Sequence, residues 1–315
     1  MSDTLAHQAA RLWGFDPAHV TLAARRENIV YRVDGPDGAF ALRLHRPGYR
    51  TRAQLQSELH WMTALERGGM AVPRPLPLPD GAMTARLGDT LVDVLSWLPG
   101  QPLGAQGALD GVSDRPALAH RLGRLLAQMH DLSDTWTPPA DFTRPAWDRA
   151  GLLGDAPLWG RFWDHPDLTA DQRSTFTAAR ARADADLAAL ETGLDYGLIH
   201  ADVITENVMR DGDALYLIDF DDGGWGFRDF ELATFLMRFL TAPDYSEIRA
   251  ALVDGYAMRR RVDARTLDLF LLLRALTYPG WIIPRLHEPG GAERSARAIA
   301  TAIPLAERYL NGGKA

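Results

Sequence analysis

Apolar residues recur at every second position through roughly the first hundred residues and at helical spacing through most of the remainder. Ile29 to Val33 and Phe40 to Leu44 alternate around Asp34-Gly35-Pro36-Asp37-Gly38, a strong turn signal, and predict two paired strands. Val20 to Ala24 adds a strand ahead of the polar loop Arg25-Arg26-Glu27-Asn28. In the strand from Phe40, residues Phe40, Leu42 and Leu44 share one face, and Ala41 and Arg43 take the other. Met83 to Leu87 and Thr90 to Leu95 read as a hairpin around Gly88-Asp89. Two helices interrupt these strands. One covers Thr4 to Trp13. The second runs from Thr51 to Glu66, carries the stripe Leu55, Leu59 and Met62, and stops at Gly68-Gly69. Glu58 shares that stripe, and a carboxylate on an apolar face calls for a cationic partner.

The character of the chain changes at Ser96-Trp97-Leu98-Pro99-Gly100, where a breaker pair follows a strand. We place a hinge there, which divides the chain into residues 1–98 and 99–315. Beyond it, Leu118, Leu122, Leu125, Leu126 and Met129 fit one helix face, and Phe176, Ala179, Ala183, Leu187 and Leu190 fit another. Glu231–Leu240, Tyr245–Arg259, Arg265–Leu276 and Ala292–Tyr309 are further predicted helices, whereas residues 133–168, rich in Pro, Trp and Asp, read as an irregular insertion. The predicted class is α+β: a small antiparallel β-sheet lobe followed by a larger, mainly helical lobe, with a ligand cleft expected between them.

Charge and cysteine content narrow the function. A net charge of −7 argues against nucleic acid or an anionic membrane as the main partner. The absence of cysteine excludes disulfides, thiolate catalysis and thiolate-bound zinc. Met1-Ser2-Asp3-Thr4-Leu5 shows no secretory signal, and the run Leu267–Leu273 is broken by Asp268 and followed by Arg274, so no bilayer span is expected. A cytoplasmic protein is the expectation; its oligomeric state is not legible.

The chemistry concentrates in GLIHADVITENVMRDGDALYLIDFDDGG, residues 197–224. Its two apolar runs, Leu198-Ile199 and Leu215-Tyr216-Leu217-Ile218, deliver a histidine, an asparagine and several carboxylates, a set suited to a metal, a polyphosphate or both. The spacing is His200-x-Asp202, then Asn207 five positions on, then Asp219 after eleven intervening residues. This plan resembles the protein-kinase catalytic loop. The form without arginine between His200 and Asp202 resembles the aminoglycoside phosphotransferase family, which also contains choline, homoserine and fructosamine kinases. Arg43 on a strand, Glu58 on the next helix and the Pro99-Gly100 hinge extend the resemblance over most of the chain.

The resemblance implies a protein-kinase-like two-lobe fold and phosphoryl transfer from ATP, with Mg2+, to an alcohol. Asp202 would receive the hydroxyl proton. Asn207 and Asp219 would hold magnesium, with Asp221 either a further ligand or a solvated loop charge. Arg43, Glu58 and Asn28 would serve the nucleotide, and Ser96, Trp97 and Leu98 would offer backbone groups to adenine. Glu206, Trp225, Tyr278, Trp281 and Arg285 are candidates for the acceptor side, where aromatic faces and acids suit an amine and an arginine suits a carboxylate. Each has a structural alternative. Arg43 with Glu58 is also an ordinary ion pair between sheet and helix, the aromatics are also core residues, and His200 reads as a scaffold.

Three features depart from the family's pattern. Arginine stands at position 43 where lysine is usual, the loop Ala23–Asn28 has no glycine, and Glu231-Leu232-Ala233 replaces the frequent Asp-Leu-Ala, which leaves either Asp229 or neither acid to brace the catalytic loop. A small, amine-bearing acceptor such as homoserine, choline or an aminoglycoside is the leading expectation. A stress-response-type Ser/Thr protein kinase of the same superfamily and a nucleotide-binding pseudokinase are the alternatives.

Overall fold

The computed structural model describes residues 2–25, 27–105 and 108–312, so Arg26 and the end of the Gly-Gly-Lys-Ala tail lie outside the described residues. The chain forms two compact units that interleave along the sequence. One gathers Met1–Leu103, Asp131–Arg144 and Asn207–Asp221, and the other holds Gly104–His130, Pro145–Glu206 and Asp222–Ala315. The sheet-bearing unit thus continues past residue 98 to Leu103 and takes in two later segments.

The first unit is built on an antiparallel sheet of β1 (Val20–Arg25), β2 (Ile29–Gly35), β3 (Gly38–Leu44), β4 (Ala85–Leu87) and β5 (Thr90–Ser96), in the order β1-β2-β3-β5-β4. Period-two alternation sorts its faces. Val33, Phe40, Leu42, Leu44, Val92 and Val94 pack on Ala6, Ala9, Ala10 and Trp13 of helix α1 (Ser2–Leu12) and the turn after it. Helix α2 (Arg52–Arg67) begins at a capping box in which the Thr51 hydroxyl accepts from Gln54 N, and it buries Leu55, Glu58, Leu59 and Met62. Past the hinge, β6 (Gln101–Pro102) joins β9 (Val208–Asp211) and β10 (Ala214–Leu217) in a second sheet.

The second unit is mainly helical. It contains most of α3 (Arg115–Thr135), then α4 (Arg149–Leu153), α5 (Ala170–Leu190), α6 (Arg228–Leu236), α7 (Tyr245–Ala257), α8 (Ala264–Ile282) and α9 (Gly291–Leu310). A small sheet, ordered β7 (Ala146–Trp147), β11 (Gly224–Phe227), β8 (Tyr196–Ile199), carries the segment that leads to His200. Gly197 of β8 is needed for space, because a β-carbon there would lie 2.1 Å from the Arg228 guanidinium. Ala264–Arg285 is long and apolar enough to cross a membrane by length and composition, but 78% of its apolar window is buried inside the protein, as in a core helix. Asp268 and Arg274 do not break it, since both are buried and each pairs with an opposite charge, Arg249 and Asp202 respectively.

The hinge has one steric requirement. Gly100 has φ +87°, and a β-carbon there would stand 2.2 Å from the Arg210 carbonyl oxygen on β9. Gly100→Ala is expected to cost about 2–3 kcal/mol, as strain in the left-handed region adds to displacement of β9. Chemical denaturation checks this, and an unchanged midpoint would contradict it.

Candidate active site

In the first unit the register of the main sheet sets the chemistry. Arg43 on β3 lies directly opposite Asp93 on β5, on the face away from the α1 core. Its Nε and Nη2 donate to the two Asp93 oxygens at 2.8 Å each, and its Nη1 donates to Glu58 Oε1 at 2.9 Å. His45 Nε2 lies 2.8 Å from Asp93 Oδ2. Burial would lower the Arg43 pKa, but Asp93 and Glu58 outweigh it and hold the guanidinium well above its ordinary value. Burial would likewise raise Asp93, but Arg43 and His45 pull it well below the usual carboxylate range. Arg43 and Glu58 therefore meet, as expected from sequence, and Asp93 is the partner that sequence reading missed.

Asn207 and Asp219 are brought to one end of a hairpin. Val208 pairs with Leu217 across β9 and β10, and Ile218 N donates to Asn207 O at 3.0 Å. Asn207 is buried, while Asp219 is exposed and adopts φ +66°, a left-handed conformation that non-glycine residues seldom take. The residues after it are clamped to α2. Phe220 packs edge-on against Trp61 with centroids 5.2 Å apart. The buried Arg144 donates to Phe220 O (2.9 Å), Asp221 O (2.5 Å) and Gln54 O (3.1 Å), and also reaches Glu58 Oε2 at 3.4 Å. Arg50 donates to Asp221 O at 2.9 Å and to its Oδ1 at 3.3 Å. The Asp221 carboxylate thus pairs with an arginine. Among the described residues no three acidic or imidazole groups form a ready-made metal cage. Magnesium bound together with phosphates does not require one, because it takes only one or two protein oxygens; Asn207 and Asp219 are hard oxygen donors of that kind.

The candidate nucleotide contacts also lie in this unit. Ser96 N donates to Arg74 O at 2.8 Å and Trp97 N to Ala39 O at 2.9 Å, so both amides are committed. Among the described residues the Leu98 amide has no such partner. At the β1–β2 turn, Asn28 is 9% exposed, and its buried Oδ1 accepts no hydrogen bond from any described residue.

In the second unit, β8 delivers His200, Ala201 and Asp202 into a loop braced from α6. Glu231, fully buried, accepts from His200 N at 2.5 Å and from Ala201 N at 3.0 Å. Contrary to the expectation, Glu231 therefore supports the loop, whereas Asp229 accepts from the Thr266 hydroxyl at 2.5 Å. The Glu231 bonds hold Ala201 at φ +65°, a conformation disfavoured for a residue with a β-carbon. His200 is buried as the scaffold expected, with Nδ1 3.4 Å from Asp202 N. Burial pushes the Glu231 carboxyl up to about 8, against the opposing pull of the two backbone donors and Arg228. His130, whose Nε2 lies 3.6 Å from Glu231, is held well below its ordinary value, by burial first and then by Arg228 and Arg260.

Asp202 lies beside a charged and aromatic array. Its Oδ1 accepts from Arg274 Nη2 at 3.1 Å. The Arg274 guanidinium lies over Trp159 at 4.5 Å, Trp159 lies 6.1 Å from Trp281, and Trp281 stacks on Tyr278 at 5.1 Å. Tyr278 and Trp281 are thus linked to Asp202 through two residues absent from the sequence-based site. Arg285 is buried, stacks on Trp281 at 4.1 Å and donates to its carbonyl. Glu206 accepts from Thr205 Oγ1 at 3.0 Å, and Trp225 sits on β11 opposite Leu198 with its amide on Pro145 O. The segment 133–168, read as an irregular insertion, includes Arg144 and Trp159, and its Trp147 holds Asp222 O at 2.9 Å. An arginine inside an apolar helix is a visible anomaly and could have drawn attention to Arg274; nothing in the local pattern marks Arg144 or Trp159.

The family model described as "Phosphotransferase enzyme family" matches residues 19–266. The structure of a microcompartment-associated aminopropanol kinase superposes with a TM-score of 0.84, at 30% identity, covering 98% of each chain. An amicoumacin kinase in complex with AMP-PNP, Ca2+ and Ami superposes with a TM-score of 0.79 at 21% identity, over 97% of this chain and 93% of that one. The homoserine kinase of Brucella abortus is 29% identical over 273 residues, 83% of this chain and 76% of the relative.

The brace predicts a pH dependence. Between the ordinary carboxylate range and about 8, folded Glu231 binds a proton that the unfolded chain does not, so its contribution to stability falls as pH rises through that window. Asp229, raised to about 6 chiefly by burial, acts with the same sign, and neutral buried His130 acts with the opposite sign below its ordinary value. Glu231→Gln retains one acceptor oxygen and leaves one backbone N–H unpaired, a cost of about 1–3 kcal/mol. Its thermal midpoint should lie below wild type at acid pH, with the gap narrowing towards pH 8. Parallel melting curves from pH 5 to 9 would refute the assignment.

Proposed function

The chain belongs to the phosphotransferase enzyme family, and on that premise we propose that it transfers the γ-phosphoryl group of ATP, with magnesium, to a hydroxyl of a small amine-bearing molecule. The observation that carries this reading is the open end of the β9–β10 hairpin, opposite its turn, which sets Asn207 beside the residue preceding Asp219. Bound there, magnesium would neutralise phosphate charge as the transfer proceeds. Asp202, on a loop held rigid by Glu231, orients the acceptor hydroxyl. The acceptor oxygen bonds to the γ-phosphorus, the bond to the bridging oxygen breaks with its electron pair leaving on ADP, and the hydroxyl proton passes to Asp202. The Leu98 amide serves adenine, and Asn28 Oδ1 serves a donor on the nucleotide. Arg43, matched by two carboxylates, ties β3 to α2 and has little net charge to offer phosphate. Asp221, paired with Arg50, serves the loop more than the metal.

The acceptor class rests on two supports. The named relatives act on aminopropanol, amicoumacin and homoserine, all small molecules. In this chain, the faces of Trp159, Tyr278 and Trp281 together with the carboxylates of Asp202 and Glu206 suit an ammonium group. Arg285, buried against Trp281, is less suited to receive a carboxylate from solution.

Incubation with magnesium-ATP and a panel of amino alcohols, homoserine, choline and aminoglycosides should give a phosphorylated product by mass. Asp202→Asn keeps an acceptor oxygen for Arg274 and should lower kcat by about 10²–10⁴-fold, while nucleotide still raises the thermal midpoint. An unmodified panel, or an active Asn variant, would overturn the reading.

A further inference from the structure

Arg274 is a fully buried cation with less counter-charge in direct contact than Arg43 has. It is 1% exposed, yet among the described residues only one carboxylate oxygen, Asp202 Oδ1, receives it. The contrast with Arg43 is direct. That guanidinium makes a two-pronged pair with Asp93 and a third bond to Glu58, and its pKa is raised; Arg274 is held below its ordinary value, first by burial and also by Arg238, despite the opposing pull of Asp202, Tyr278 and Asp222. A buried ion pair is often no better for stability than well-packed apolar residues of similar volume. Such local violations concentrate where function needs them.

The geometry shows what the charge is held for. Nε donates to Thr234 Oγ1 and Nη1 to Thr277 Oγ1, each at 3.1 Å. Each hydroxyl donates in turn to a helix carbonyl, Thr234 to Phe230 O and Thr277 to Arg274 O, so both oxygens are fixed as acceptors. The flat of the guanidinium lies over Trp159 at 4.5 Å and Phe230 at 5.9 Å. Two edges and a face are therefore locked, and Nη2 is directed at Asp202, whose side chain is 21% exposed.

We propose that Arg274 is a positioning residue of the transfer step, fixing the Asp202 carboxylate in the orientation that meets the acceptor hydroxyl. The proposal rests on the reading of Asp202 as the proton acceptor. The bond from Nη2 to Oδ1 restrains the rotation of the carboxylate, and Arg274 does not impose the two-oxygen capture that Arg43 imposes on Asp93. A misplacement of about 1 Å at such a group costs about a hundredfold in rate, so the locked guanidinium serves turnover.

Stability and turnover should therefore separate. In Arg274→Met both threonine hydroxyls keep their carbonyl partners, and the Asp202 carboxylate left behind can be hydrated. The thermal midpoint should fall only slightly, because the Asp202 carboxylate reaches solvent. Its kcat should fall about a hundredfold with KM for ATP unchanged. Arg274→Lys keeps the charge without the fork and should fall between wild type and the Met variant. Thr277→Val, which removes one lock only, should lower kcat several-fold at constant KM. A Met variant with wild-type kcat overturns the proposal. So does a kcat loss accompanied by equal losses of thermal midpoint and nucleotide binding in the Met and Val variants, which marks a merely structural role. A wild-type protein inactive on every acceptor would overturn the phosphotransfer reading itself, and the role of Arg274 with it.

Discussion

A guanidinium taken out of water must meet oxygen atoms in fixed places, and the organisation of this protein follows from how its buried arginines satisfy that demand. Arg43 requires both Asp93 and Glu58, which joins β3, β5 and α2 through charge as well as packing. Arg144 extends the same cluster from Glu58 to the carbonyls of Phe220 and Asp221. A continuous series of charge-assisted bonds therefore runs from the centre of the sheet to the residues following Asp219. Removing one member would strand its partners in a medium that solvates them poorly, so the cluster acts as a unit.

The same logic gives opposite energetic outcomes at the two ends of the chain. Around Arg43 the carboxylates outweigh burial, and the cluster favours its own ionisation. Around Arg274 burial, helped by Arg238, outweighs the pull of Asp202, Tyr278 and Asp222. The first arrangement is what a structural ion pair looks like when it is fully matched. The second is a less fully matched guanidinium, with one direct carboxylate contact, to Asp202.

Backbone strain is distributed in a similar way. Among the described residues, only Ala201 and Asp219 combine a β-carbon with positive φ, and they flank the segment with the site's chemistry. Each is held from nearby. Ala201 is fixed by Glu231 through two amides, and Asp219 by the hairpin before it and the arginine-clamped residues after it. A left-handed alanine or aspartate costs on the order of 1–3 kcal/mol, and persists only where surrounding contacts over-determine it. Asp202 and Asp219 are presented from backbone held in this way. The carboxylate at position 231 shows how a longer side chain fills the bracing role: its two oxygens reach two successive amides from one turn of α6.

The sequence by itself determined the strands of the five-stranded sheet, most helices, the alternation that sets Arg43 away from the α1 core, and the spacing of His200, Asp202, Asn207 and Asp219. These are local quantities, fixed by periodicity and by turn chemistry within a few residues. Asp93 was within reach, because it sits between Val92 and Val94 and a pairing of β3 with β5 puts it opposite Arg43. The tertiary structure decided what depends on distant segments meeting: that Glu231 rather than Asp229 braces the loop, that Arg144 clamps the residues after Asp219, and that Arg274 and Trp159 flank Asp202. No local pattern encodes those partners. A buried charge announces that it needs a counter-ion, but which one it finds is settled only when the chain has packed.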